Sequence, residues 1–97
     1  MRRYVLVSYD ISDQKRWRKV YKIVRGYGMH VQYSVFLCQL TDQDEAELKQ
    51  LLMDVIHQSM DQVIFARIGT VQSKAAERNM SCIGRDFVPL DLKGLVF

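Results

Sequence analysis

Asp10 closes the run Tyr4-Val5-Leu6-Val7-Ser8-Tyr9-Asp10, and the chain then adds Lys15, Arg16, Arg18, Lys19, Lys22 and Arg25 in quick succession. A carboxylate at the end of an apolar stretch, followed by a cluster of cations, suits phosphodiester chemistry. The carboxylate can hold a divalent metal ion and the cations can hold phosphate. One carboxylate alone is a thin basis for hydrolysis, because Mg2+ usually takes one or two carboxylates together with water and phosphate oxygens. A two-fold dimer presents the same patch twice. Asp10 and its symmetry mate could then flank one shared metal site, with Ser8 and Ser34, on comparable mixed faces, ordering the water around it. The structural alternative is that Asp10 accepts hydrogen bonds from the following turn or pairs with an arginine. The residues alone leave both readings open.

Other chemistries find less support. His30 and His57 stand apart from any partner at catalytic or ligand spacing, and Ser34 has no His/Asp pattern beside it. The chain has neither a glycine-rich phosphate loop nor an aromatic motif of the kind that reads single-stranded RNA on a sheet. Trp17 falls in an apolar helical stripe, which makes it a packing residue rather than a base-stacking platform. What remains is charge. Residues 1–30 hold eight Lys/Arg against two Asp, a balance of +6, whereas residues 31–97 hold six against nine, a balance of −3. Arg16, Arg18, Lys19 and Lys22 are therefore expected to contact nucleic-acid phosphates, in a salt-sensitive and largely sequence-independent way.

These side chains need elements to position them. Residues 3–11 alternate as a strand, with Val5, Val7, Tyr9 and Ile11 toward the core and Asp10 on the other face. A helix over 13–26, capped by Ser12 or Asp13 and stopped by "RGYG", carries Trp17, Val20, Tyr21, Val24 and Tyr27 on its apolar side. Residues 29–40 read as one long strand, because no Gly or Pro marks a turn inside. Thr41 and Asp44 form a capping-box pair ahead of a helix over 42–59, whose Leu48, Leu51, Leu52, Val55 and Ile56 share a face. "DQVIFARIG" is a further strand. The signal weakens from "TVQSKAAERN" onward, with a last strand expected at 80–88 and an apolar tail "PLDLKGLVF" that must dock on its own core or on a neighbouring subunit. Strand-helix-strand-helix-strand points to an α+β or α/β sandwich with helices on one sheet face.

Ninety-seven residues make a single domain, 1–97, whose modest core favours association. No segment reaches the roughly 18 consecutive apolar residues of a membrane span, and the basic N-terminus lacks a signal peptide's cleavage site. A cytoplasmic protein is expected. Cys38 and Cys82 lack metal-ligand spacing and read as free thiols in a reducing compartment.

The stretch "YVLVSYDISDQKRWRKVYKIVRGYGMHVQYSVF" resembles the small CRISPR-associated adaptation proteins of the Cas-two family. The resemblance rests on Tyr9–Asp10 ending a strand, Arg16 to Lys19 on a basic helix, Gly26 and Gly28 around a turn, and Gln32, Ser34, Val35 and Phe36 beyond it. It implies a ferredoxin-like βαββαβ fold with an extra C-terminal strand, in a symmetric homodimer where residues from about 80 to 97 pack on the partner. It also implies two short strands within 29–40. For function, it implies a dimeric scaffold under double-stranded DNA, working with the Cas-one integrase in spacer acquisition. A metal-dependent endonuclease acting on single-stranded RNA or double-stranded DNA is implied too, with Asp10 as the Mg2+ ligand and catalytic residue. The chain departs from the family where Leu37 stands in place of a frequent acidic residue after Phe36. A toxin-like RNase of related fold and a regulatory ferredoxin-like ligand-binding domain are the alternatives.

Overall fold

Alternation fixes the first strand. In β1 (Arg3–Asp10), Val5, Val7 and Tyr9 are buried on one face, while Tyr4, Leu6, Ser8 and Asp10 occupy the other and end in an exposed carboxylate. A computed structural model of the chain describes residues 1–85. Within it, β1 is followed by α1 (Gln14–Arg25), β2 (Gly28–Gln32), β3 (Val35–Leu40), α2 (Asp42–Met53), β4 (Gln62–Thr70) and a short α3 (Ala75–Asn79). The strands form one antiparallel sheet in the order β2-β3-β1-β4. This is the βαββαβ ferredoxin-like arrangement with α3 added.

Both longer helices cover the same sheet face. Val20 and Val24 from α1 and Leu48 and Leu52 from α2 pack with Val5, Val7, Tyr9, Phe36, Cys38 and Leu40. Burying each such side chain contributes about 1.5–3 kcal/mol. On the opposite face α3 covers one part only, where Ala76 packs with Tyr4 and Leu37. Gly69 makes that seating possible. Its φ of +149° suits glycine, and a Cβ there would lie 2.3 Å from that of Ala75. The rest of this face, with Leu6, Ser8, Val35 and Ile64, is only partly covered, and Ile64 is 53% exposed.

Asp13 caps α1, its carboxylate accepting from the Arg16 N–H at 2.9 Å. Thr41 and Asp44 form the full capping box of α2. Gly28 allows β2 to approach β3, for a Cβ at this position would stand 2.3 Å from Cys38 Sγ and 2.7 Å from the Leu37 carbonyl oxygen. Gly28→Ala should therefore destabilise the fold by about 2 kcal/mol, the usual scale of overpacking, measured by urea denaturation. An unchanged midpoint would show that the hairpin can spread without penalty.

Three expectations need correction. Residues 29–40 are not one strand, since the chain turns at Tyr33–Ser34 and the halves pair antiparallel, as the family resemblance implied. The turn has no glycine or proline and is held by distant residues, Tyr9 N–H donating to the Ser34 carbonyl at 3.0 Å and Trp17 stacking on Tyr33. The second helix stops at Met53 rather than 59: the Leu52 carbonyl accepts from both Val55 and Ile56 as the chain turns, which keeps these two side chains on the core. Where the signal weakens, at "TVQSKAAERN", the chain forms α3. Residues 80–85 carry no strand, and the remainder of the expected last strand, with the tail, lies outside the described residues. No helix among the described residues is long and apolar enough to cross a membrane.

Candidate active site at one end of the sheet

Three segments meet where β1 ends. Asp10 is opposite Gln62 at the start of β4, and Tyr9 is bonded to the β2–β3 turn through Ser34. Asp10 is exposed and has no ion pair or side-chain hydrogen bond among the described residues. Among the described residues, neither the following turn nor an arginine takes up this carboxylate. Ser8 shares its face, two positions back along β1.

Ser34 does not. Its hydroxyl accepts from the Trp17 indole N–H at 3.4 Å, so it lies on the helix side of the sheet and cannot join Ser8 and Asp10. The two faces looked alike in sequence because both mix polar and apolar residues. Tyr9 is buried with its hydroxyl unpartnered, and burial, with Tyr21 and Tyr33 nearby, pushes its phenol up to about 12. It therefore stays protonated at neutral pH and supplies no base.

A second carboxylate, missed in the sequence, organises the loop after Asp10. The Asp61 side chain is fully buried. Its Oδ1 accepts from Ser12 N–H at 3.1 Å and Ser12 Oγ at 3.2 Å; its Oδ2 accepts from Arg16 Nε at 2.8 Å and His57 N–H at 2.8 Å. Arg16 Nη2 adds a longer bond to Oδ1 at 3.3 Å and one to Ser12 Oγ at 3.2 Å. The Arg16 guanidinium, with the His57 and Ser12 amides, holds this carboxyl well below the usual carboxylate range. Arg16 is thereby paired with Asp61 and half-buried, whereas Arg18, Lys19 and Lys22 are exposed on α1. No sequence signal marks the pair, since its members are 45 residues apart.

The described residues contain no cluster of three or more His, Cys, Asp or Glu able to hold a metal. Asp10 offers one exposed carboxylate at this end of the sheet, within the one or two that Mg2+ usually accepts. His57 serves its own turn, Nδ1 accepting from the Ser59 N–H at 3.3 Å.

The family described as "CRISPR associated protein Cas2" matches residues 1–76, which span β1 through β4 and reach α3. The chain belongs to the Cas2 family. A Cas2 relative from Thermodesulfovibrio yellowstonii, a "CRISPR-associated endoribonuclease", is 48% identical over 63 residues, covering 65% of this chain and 69% of the other. Another with that description, from Rhodospirillum rubrum, is 32% identical over 91 residues, covering 94% and 87%. Among solved structures, Streptococcus pyogenes Cas2 superposes with a TM-score of 0.71 at 32% identity, over 87% of this chain and all of that one. The Cas2 relatives confirm the ferredoxin-like α+β fold and support a CRISPR-associated nuclease function.

Proposed function

We propose that this protein is a homodimeric, Mg2+-dependent endonuclease of cytoplasmic CRISPR adaptation, whose dimer also binds DNA as a scaffold for the Cas-one integrase. The observation that carries the reading is Asp10, an exposed carboxylate without a partner among the described residues, at the end of a central strand, in a chain whose relatives are described as endoribonucleases. The partly covered sheet face beside it, with Leu6, Val35 and Ile64, supports two-fold association there. Two Asp10 carboxylates would hold the ion, and Ser8 on the same face would hydrogen-bond to its water. When bound, Mg2+ lowers the pKa of water and neutralises charge on the phosphate. The chain's own part is to present the carboxylates and to gather phosphates along Arg18, Lys19 and Lys22.

Labelled single-stranded RNA and double-stranded DNA, incubated with the purified protein in Mg2+ and in EDTA, test the reading. Cleavage in Mg2+ that stops in EDTA supports it. Cleavage unaffected by EDTA overturns the metal-dependent mechanism. Binding of DNA without cleavage of either substrate leaves the scaffold role alone.

A further inference from the structure

Tyr33 is out of keeping with its position. It forms the tip of the β2–β3 turn, where small or polar residues are usual, and it leaves 76% of its surface in solvent. It is nonetheless held from several sides. Its ring stacks on Trp17 at 5.3 Å and 28°, and Trp17 in turn stacks on Tyr21 at 5.5 Å and 17°. Its carbonyl lies 3.1 Å from His30 Nε2. The next residue, Ser34, is bonded through its carbonyl to Tyr9 N–H at 3.0 Å and through its hydroxyl to the Trp17 indole at 3.4 Å. The outcome is an aromatic ring seated on Trp17 at a turn whose backbone is pinned, with most of its area open to water.

The helix on which it stacks, through Trp17, carries cations. At 100° per residue, Arg25 and Arg18 fall about 40° and 60° beyond Tyr21 on α1, and Lys22 about 100° beyond it toward solvent, and the Arg25 guanidinium sits 6.0 Å over the Tyr21 ring. Arg16 lies on the opposite flank, consistent with its bond to Asp61. An open aromatic stacked on a helix that carries exposed cations has the makeup of sites that bind unpaired strands, in which bases stack and phosphates pair. A duplex offers no such partner, because its base faces are already stacked on one another.

We propose that Tyr33 is a stacking site for an unpaired nucleobase, with Arg18 and Lys22 taking the adjoining phosphates, so that a single strand is delivered to the Asp10 end of the sheet. The inference deepens the nuclease reading and rests on it. Stacking on Tyr33 tolerates any sequence, because every base has a π-face.

Affinity for a short oligothymidylate and for an abasic strand of equal length, each followed by fluorescence anisotropy across a salt series, tests the site. Tyr33→Ala should weaken oligothymidylate binding roughly tenfold while leaving the abasic strand unchanged, and Tyr33→Phe and Tyr33→Trp should bind it as the wild type does. Arg18→Ala and Lys22→Ala should weaken both strands and lower the salt slope by about 1 each. Tyr33→Ala acting equally on both strands, or on neither, overturns the stacking site. Wild-type protein that binds both strands alike, with a slope still dependent on Arg18 and Lys22, removes the stacking site but keeps the nucleic-acid reading. Protein that binds neither strand removes both.

Discussion

Asp10→Asn should abolish cleavage while leaving the fold intact. The side chain is exposed and without a partner among the described residues, so an isosteric amide should change stability by no more than about 0.5 kcal/mol. Its effect on cleavage should be far larger. Loss of an outer-shell partner of a metal site costs about 10–100-fold, and Asp10 is the proposed direct ligand, so the loss should exceed about 100-fold. In a homodimer the variant removes both copies at once. Mixed dimers add a sharper measurement: after equal amounts of wild-type and variant chains are unfolded and refolded together, one site shared by two Asp10 residues predicts about a quarter of the wild-type rate. Independent sites predict about half. Full activity of Asp10→Asn would place the chemistry elsewhere and make the exposed carboxylate incidental to it.

Asp61→Ala should have the largest effect on stability. The substitution strips the buried acceptor from Arg16, Ser12 and the His57 amide together and leaves a half-buried guanidinium unpaired. A loss on the order of 3 kcal/mol is expected, lowering the melting temperature by more than about 10 °C in a domain of this size. The pH dependence carries the sign of a depressed acid. In the folded state the carboxyl is held below its ordinary range, so its contribution is complete above the unfolded value near 3.9. It is then lost as pH falls through the folded value. The stability difference between wild type and Asp61→Ala should thus be constant from neutral pH to about pH 5 and shrink toward zero in stronger acid. Subtracting the variant removes the parallel behaviour of Asp13, Asp42 and Asp44, which are lowered as well. A difference that persists unchanged at low pH would mean that Asp61 acts through packing rather than charge.

How far the sequence could be read depended on how local the cause was. Strand β1 was legible because alternation is written into consecutive residues, and its outward carboxylate followed at once. The capping of α1 by Asp13 and of α2 by Thr41 and Asp44 was legible for the same reason, since each involves residues three apart. The turn at Tyr33–Ser34 was not, because what folds it comes from Tyr9 and Trp17. Nor was the early end of α2, where Val55 and Ile56 continue the apolar spacing but reach the core from a turn. Arg16 shows the same limit within the candidate site. Composition made it one more phosphate ligand, yet its Nε was already bound to a carboxylate far along the chain. Ser34 failed for a different reason: parity along 29–40 carried no warning that Trp17 would claim its hydroxyl.

The strand order has a consequence for synthesis. Strand β1 emerges first yet sits between β3 and β4, so one edge is satisfied by the hairpin while the other waits for residues Gln62–Thr70. Translation at about 5–20 residues per second leaves that edge open for several seconds. During that interval a greasy Val-Leu-Val segment can pair with the wrong neighbour, a hazard of non-local sheets generally. The arrival of β4 ends it and brings Asp61 to Arg16 in the same step, so the nascent chain seals its most vulnerable edge and fixes the loop behind Asp10 together.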